Sequence, residues 1–252
     1  MVRRLIVAAL AGCMAMAAGL RGQEATTPTL ALADAPSTAT IAAQQPGDSP
    51  EVAFLRLIEA KNGETRSLQA EFTQTRVDRV FSDEVVSEGE FWYEAPGLFR
   101  ASYKGDKDSG SEDSDIWMKD NKLISYTPSL RQVEIVQQAA GDRAPVNQLL
   151  LGFGVKVERI QRLFEVQPAA KPRPGTTGIR FVSRDVDFSL GYDSITVYFD
   201  TTRREPQIIL LEQEDQEITV ELKKVRMNPQ IKPSVFETKW PKNVEILEYK
   251  QL

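Results

Sequence analysis

Acidic side chains offer the first chemistry to consider. The ten residues 106–115 read DKDSGSEDSD, and five of them are carboxylates, the ligands that Ca²⁺ prefers. A calcium-binding loop, however, requires Asp or Asn where this segment has Gly110, and Gly where it has Ser111. The spacing therefore indicates a solvated loop between two strands, and we expect no metal site.

Glu88 and Glu90 are a second candidate, because two carboxylates can share general acid and base roles across a cleft. They flank Gly89 on one polar strand face, and nothing in the sequence places them across a cleft. The chain has no His and one Cys, so a Ser-His-Asp triad, an imidazole metal site and an internal disulfide are excluded. It also lacks the nucleotide-binding and hydrolase fingerprints. We expect a protein that is not an enzyme and needs no cofactor.

The net charge bears on whether the protein binds nucleic acid. Lys and Arg number 31 against 36 Asp and Glu, which gives a formal charge of −5 and a pI near 5.1. Affinity for nucleic acid depends mainly on cations that contact phosphate. We therefore expect no nucleic-acid partner.

The first 23 residues predict an export signal. Arg3 and Arg4 precede an apolar run from Leu5 to about Ala18, which is too short to span a bilayer. Ala15 and Ala17 have the small-x-small spacing that favours cleavage after Ala17. The alternative is lipid attachment to Cys13, because residues 10–13 (LAGC) spell a lipobox.

Two further regions follow the signal. Residues 24–48 are rich in Ala, Thr, Pro, Ser and Gln and contain no aromatic residue, so we interpret them as a flexible linker. Residues 49–252 then form the folded domain. That length is sufficient for one domain to bury about 70% of its unfolded surface.

Hydrophobic periodicity predicts one helix followed by many strands. Ser49-Pro50 begins an amphipathic helix that ends near Asn62-Gly63. Apolar and polar residues then alternate, which is typical of strands with one face on an apolar interior and the other in water. Strands are predicted at 68–73, 84–94, 98–104, 114–119, 122–126, 131–136, 178–184, 195–199, 207–213 and 218–222. They indicate a large, curled antiparallel sheet.

A second helical region interrupts the strands. Pro145 suits a first helical turn, and Leu149 and Leu150 belong to an apolar stripe. The stripe continues through Val157 and Ile160 to Leu163–Phe164, which predicts another short helix. The fold is thus a half-open sheet with a few helices over it.

In one aromatic segment, residues 89–103, the side chains fall on two opposite strand faces. Phe91, Tyr93 and Ala95 share one face, and so do Phe99, Ala101 and Tyr103 after the Pro96-Gly97 turn. Trp92 and Arg100 lie on the opposite face. Periodicity alone leaves open whether the apolar face is a packed core or lines a ligand cavity.

This segment resembles the outer-membrane lipoprotein carrier protein LolA family, and the resemblance covers roughly residues 52–248. It begins at SLQAEFTQ (67–74) and continues through GEFWYEAPGLFR (89–100). It extends over KDNKLISYTP (119–128), LRQV (130–133), NPQI (228–231), VF (235–236) and WPKNVEI (240–246). The order and spacing of these phrases carry the resemblance.

The resemblance implies an α+β fold, namely an incomplete, strongly curved antiparallel β-barrel with a helical lid over an apolar cavity. Residues 145–151 match the lid helix. It implies a monomeric periplasmic carrier that holds the acyl chains of lipoproteins. Cargo would arrive from an inner-membrane ABC-type release complex and pass to an outer-membrane receptor. The cavity candidates are Phe72, Phe91, Tyr93, Phe99, Ala101, Tyr103, Leu149, Leu150, Val197, Phe199 and Val220.

The chain departs from the family pattern at one position. The family carries an Arg before the Pro of this segment, where it ties the lid to the barrel, but this chain has Ala95. Phe99 matches the family Phe near the cavity mouth, so Phe99→Glu is expected to impair cargo handling.

Two other functions fit the same half-barrel. One is a lipid-sensing regulator of envelope stress. The other is a membrane-anchored lipoprotein receptor or lipid-transfer lipoprotein, which lipidation of Cys13 would favour.

Overall fold

A curved sheet of twelve strands forms the body of the protein. The computed structural model describes residues 47–106, 110–137, 156–171, 173–184 and 192–250. The strands are β1 (Ser67–Asp78), β2 (Glu84–Glu94), β3 (Leu98–Lys104), β4 (Ser114–Lys119), β5 (Lys122–Thr127), β6 (Gln132–Gln137), β7 (Phe164–Pro168), β8 (Thr176–Ser183), β9 (Ser194–Asp200), β10 (Pro206–Glu212), β11 (Gln216–Met227) and β12 (Glu245–Lys250).

The strand order explains the half-barrel shape. It runs β12-β6-β5-β4-β3-β2-β1-β11-β10-β9-β8-β7, so β7 and β12 are the two edges and the sheet stays open. Most neighbours are consecutive hairpin partners, and only β1 with β11 and β6 with β12 join distant parts of the chain. The expected α+β half-barrel is confirmed.

Two details of the sheet differ from the sequence-based prediction. The prediction missed β7 and β12, which are the edge strands. β12 pairs with β6 in parallel, so the sheet is not purely antiparallel. In β12, Ile246 and Tyr249 are exposed, and the apolar residues do not alternate regularly. An edge strand with little buried surface leaves little hydrophobic signal in the sequence.

Helix α1 (Pro50–Asn62) begins where the sequence predicts. The side chain of Ser49 accepts a hydrogen bond from the N–H of Val52, and Pro50 takes the first helical position. Val52, Leu55 and Ile58 lie 3 residues apart on the helix and are buried against the sheet. The apolar stripe of α1 therefore packs against the sheet.

Helix α2 (Val157–Leu163) is shorter than the predicted stripe. Phe164 was expected to continue it but begins β7 instead. The beginning of α2 is tied to α1, because the N–H of Val157 donates to Glu59 Oε2 (3.2 Å) and Arg56 pairs with Glu158 (2.7 Å). The pKa of Arg56 is raised, first by its hydrogen bond to Asp48 and then by that to Glu158.

Strand β9 departs from the expected alternation of apolar and solvated faces. Six of its seven residues are buried, including Thr196 and Tyr198 on the side that the pattern assigns to water. The Tyr198 hydroxyl donates to the carbonyl of Lys171 (2.9 Å), and the Arg173 guanidinium lies 5.1 Å from the ring centroid. The segment between β7 and β8 therefore covers the outer side of β9.

Several predictions fall outside the described residues. These are the signal region 1–23 with Cys13, most of the linker 24–48, and the helix proposed at residues 144–151 with Leu149 and Leu150. The division of the chain at residues 23 and 48 stays a prediction.

Candidate functional site

One face of the sheet carries a continuous apolar cluster, and we call it the inner face. It holds nine of the cavity candidates, all less than 10% exposed: Phe72, Phe91, Tyr93, Phe99, Ala101, Tyr103, Val197, Phe199 and Val220. They come from strands that span the sheet from β3 to β9, crossing β1 and β11. The structure thus brings together every cavity candidate that it describes.

The strand register places the aromatic rings of this cluster. Phe72, Gly89 and Tyr103 lie side by side across β1, β2 and β3. Because Gly89 has no side chain, the two rings on either side of it meet edge to face with centroids 4.9 Å apart. Phe91 lies in the next row, opposite Ala101, and stacks diagonally on Phe99 of the row beyond, with centroids 6.1 Å apart.

Helices α1 and α2 pack on the same inner face. Their buried residues Val52, Leu55, Ile58, Val157 and Ile160 belong to the same apolar cluster as the strand residues. The helical period predicted an apolar stripe on each helix, but it did not predict the surface on which the stripe packs. Part of the inner face is therefore filled by the protein's own helices.

Gln74 is a polar residue of the inner face that the sequence reasoning missed. It is only 7% exposed, and its Oε1 accepts a hydrogen bond from the Tyr103 hydroxyl at 3.3 Å. The alternation that assigns Phe72 to the inner face assigns Gln74 to it as well, so the signal was present in the pattern. It was overlooked because only apolar residues were considered as lining.

Arg66 lies across the sheet from Ala95, where the family Arg is missing. The N–H of Ala95 donates to the carbonyl of Arg66 (2.7 Å), one step beyond the paired Ser67 and Glu94. Ala95 itself is partly buried against the apolar cluster. A cation is therefore present near this position, but it comes from the residue that precedes β1.

The pKa of Tyr93 is raised, mainly because burial disfavours the phenolate, while the charge of Arg66 acts weakly in the opposite direction. Tyr93 retains its proton in the folded state at a pH where the unfolded chain loses it. Below the unfolded pKa of about 10, both states are protonated and Tyr93 does not make stability depend on pH. As pH rises above about 10, only the unfolded chain ionises, so the free energy of unfolding declines.

We expect Tyr93→Phe to reduce the loss of stability in alkali. Urea unfolding of wild type and variant at about pH 8 and about pH 11 measures this difference. Tyr249→Phe is the matched control, because Tyr249 is exposed. An equal alkaline loss in wild type and Tyr93→Phe would contradict the assignment.

The opposite face, here the outer face, has an apolar cluster of its own. Trp117, Ile124 and Val133 are buried there, with Trp240 packed against them. Trp117 and Trp240 meet with ring centroids 6.4 Å apart. The chain that follows β11 therefore covers a surface for which alternation predicted water.

Arg100 lies on this outer face, as alternation predicts. Its guanidinium is 5.5 Å from the Trp92 ring centroid and 5.3 Å from that of Trp117. It also pairs with Asp115 (2.8 Å) and donates to the carbonyl of Val235 (3.2 Å). Arg100 therefore holds the chain after β11 against the outer face, away from the inner cluster.

Glu88 and Glu90 also lie away from the inner face. They line an outer groove of about 210 Å³ with Glu71, Lys104 and Lys223, and Glu90 accepts from Gln69 Nε2 at 2.5 Å. The groove is smaller than the pockets of roughly 300–1,000 Å³ that hold drug-sized ligands. The structure does not bring these carboxylates to the candidate site.

Two side chains of the acidic segment after β3 accept hydrogen bonds from the backbone at its beginning. Asp113 Oδ1 accepts from the N–H of Gly105 (2.8 Å), and Ser111 Oγ accepts from that of Asp106 (2.7 Å). Within the described residues, no group of three or more acidic, Cys or His side chains could hold a metal ion. Nor does that part of the chain contain a helix long and apolar enough to cross a membrane.

Comparison with known proteins identifies the family. The model of the family described as "outer membrane lipoprotein carrier protein LolA" matches residues 63–239. The chain belongs to the LolA family. The match includes β1 to β11, and therefore all the strands that contribute the described cavity candidates. No curated protein sequence matches the chain.

Solved structures with a similar fold are distant in sequence. An uncharacterized conserved protein from Thermus thermophilus is 10% identical, with a TM-score of 0.48, over 78% of this chain and 98% of the other. A putative outer membrane lipoprotein-sorting protein domain from Vibrio parahaemolyticus is 9% identical, with a TM-score of 0.42, over 74% and 95%. The lipoprotein LppX from Mycobacterium tuberculosis is 10% identical, with a TM-score of 0.41, over 72% and 96%.

Proposed function

We propose that this protein is a periplasmic carrier that binds the acyl chains of lipoproteins on its inner face and shuttles them from the inner to the outer membrane. The observation that carries the proposal is the apolar cluster on the inner face of an open, curved sheet, in a member of a lipoprotein-carrier family. In this role the protein is a binding protein and not an enzyme.

The energetics of an acyl chain explain why such a face is needed. Each methylene that leaves water contributes about 0.8 kcal/mol, so a chain of about 14 carbons contributes ~11 kcal/mol. A carrier must cover most of that surface and must still release it. An apolar half-barrel can do both without a metal, a cofactor or a covalent step.

The proposed route determines the partners and the compartment. An exported monomer would receive acylated lipoproteins from an inner-membrane ABC-type release complex and deliver them to an outer-membrane receptor. Arg66, beside Ala95, is the residue that we propose in place of the missing family Arg. A lipid-anchored receptor is the second candidate, and the LAGC sequence at residues 10–13 is the feature that favours it.

A matched pair of variants on β11 tests acyl binding. Leu222 lies on the inner face beside Phe72 and is partly buried, whereas Lys223 is exposed and its ammonium group donates to Thr73 Oγ1. We expect Leu222→Glu to reduce co-purifying acyl species, measured by mass spectrometry of solvent extracts, by about tenfold, because a carboxylate resists burial. Lys223→Glu should leave the amount unchanged.

Two results would contradict the proposal. One is a wild type that carries no acyl species and takes up none from added lipoprotein. The other is equal loading of the two variants. Mass spectrometry of the secreted N-terminus separates the two candidates, since a chain that begins at Ala18 supports the shuttle and a diacylated Cys13 supports the anchored receptor.

The environment of Phe99 changes how its role should be tested. Phe99 is 5% exposed and stacks on Phe91. Phe99→Glu would bury a carboxylate and weaken the fold, so impaired cargo handling in that variant has two explanations. Phe99→Leu retains an apolar side chain and therefore isolates the effect on cargo.

A further inference from the structure

Polarity changes along the inner side of β1. Leu68, Ala70 and Phe72 are apolar, and they are followed on the same face by Gln74 and then by Arg76. Gln74 sits opposite Ser87 on β2 and Val220 on β11. A polar amide therefore follows the apolar residues of β1, while apolar residues (Val220 and then Ile218) continue beside it on β11.

The amide of Gln74 is only half satisfied. Its Oε1 accepts from the Tyr103 hydroxyl at 3.3 Å, which fixes the orientation of the side chain. Among the described residues no acceptor meets its nitrogen, and this nitrogen is not one of the fully buried atoms without a hydrogen bond, which are Trp117 Nε1 and Arg180 Nε. An amide N–H that keeps contact with solvent and has no protein acceptor is free to donate to an acceptor that arrives with a ligand.

The tyrosine partner has the geometry to hold the amide in place. Tyr103 reaches over Gly89, where there is no side chain, and packs edge to face on Phe72. The same contact thus positions Tyr103 and Gln74 next to the apolar residues of β1. A chain lying along Phe72 and Ala70 would bring the group at its head to Gln74.

We infer that Gln74, positioned by Tyr103, is a subsite for the carbonyl oxygen at the head of a bound acyl chain. The ligand class is an ester- or amide-linked acyl group rather than a plain alkyl chain. This inference rests on the proposed function, because it assumes that acyl chains occupy the inner face. The Gln74 Nε2–H group donates to the carbonyl, and the alkyl tail extends over Phe72 towards Leu68.

A pair of lipids that differ only in the carbonyl tests the inference. Dipalmitoylglycerol carries ester carbonyls, and dihexadecylglycerol has ether linkages in their place. Each displaces a fluorescent fatty acid from the delipidated full-length protein. We expect wild type to bind the ester about tenfold more tightly, which is the effect of one hydrogen bond.

Three variants test whether the preference for the ester lipid comes from Gln74 and Tyr103. Gln74→Leu should bind the ether lipid at least as tightly as wild type and lose the preference for the ester. Tyr103→Phe should reduce the preference, because the amide is no longer held. Tyr249→Phe, which alters an exposed tyrosine of β12, should retain it.

The outcomes separate this inference from the proposed function. If wild type binds both lipids equally, or if Gln74→Leu retains the preference, the subsite is wrong while acyl binding stands. If neither lipid displaces the probe, the proposed function fails and the subsite fails with it. Thermal unfolding of each variant shows whether a lost preference reflects a lost fold.

Discussion

Trp117→Ala should lower the free energy of unfolding by about 4 kcal/mol, the range for removing a buried Trp. Trp117 is 2% exposed and contacts Trp240, and its ring also supports the Arg100 guanidinium. Its removal leaves a cavity between β4 and the chain that follows β11. Urea unfolding followed by far-UV circular dichroism measures the change.

Trp117→Phe is the matched control. Within the described residues, the indole nitrogen of Trp117 is buried without a hydrogen-bond partner, so Phe loses contact area but no hydrogen bond. We expect a cost of about 1–2 kcal/mol for this smaller change. Equal losses for Ala and Phe would contradict the assignment of this stability to the packed volume of the side chain.

The site of first proteolytic cleavage in Trp117→Ala is a second measurement. Arg100 and Trp117 together hold Val235 and Trp240 on the outer face. In Trp117→Ala, limited proteolysis should cut first between Asn228 and Val244, before the rest of the sheet. First cleavage within β1 to β3 would contradict the assignment of Trp117 to this outer cluster.

Gly89→Ala should cost about 3 kcal/mol, at the upper end of the range for overpacking a core. An added Cβ would lie 2.4 Å from the carbonyl oxygen of Ser102 and 2.5 Å from Cζ of Phe72. The oxygen belongs to the neighbouring strand, so relief requires the sheet to shift. The ring of Phe72 would have to leave its edge-to-face contact with Tyr103.

Gly97→Ala controls for the loss of a glycine. Gly97 lies in the turn between β2 and β3, and an added Cβ there meets nothing within 4 Å. We expect a change within about 0.5 kcal/mol. Similar losses at the two positions would contradict the assignment of the effect to the close approach at Gly89.

The Gly89 variant also connects stability to the proposed site. Displacing Phe72 disturbs the aromatic pair that positions Gln74, so the preference for ester lipids should decline along with stability. Gly97→Ala should keep both. Comparison of the two glycine variants therefore tests whether the rows of the inner face act as one surface.

The sequence by itself determined the faces of the sheet. Within one strand, alternation assigned Phe91 and Tyr93 to one face and Trp92 to the other. Within the next strand, it assigned Phe99, Ala101 and Tyr103 to one face and Arg100 to the other, and the structure agrees for both strands. Ser49-Pro50 fixed the beginning of α1. These features depend on local chemistry, namely a period of two, a cap and a restricted φ angle, which neighbouring residues carry.

Only the tertiary structure decided what covers each face. Trp117 reads as solvent-facing until Trp240 packs against it from more than 100 positions along the chain. The burial of Gln74 and the parallel pairing of β12 with β6 likewise depend on residues far away in the sequence. A strand's own pattern states which side is apolar, but burial is a property of pairs of distant segments, and that information lies in their contacts.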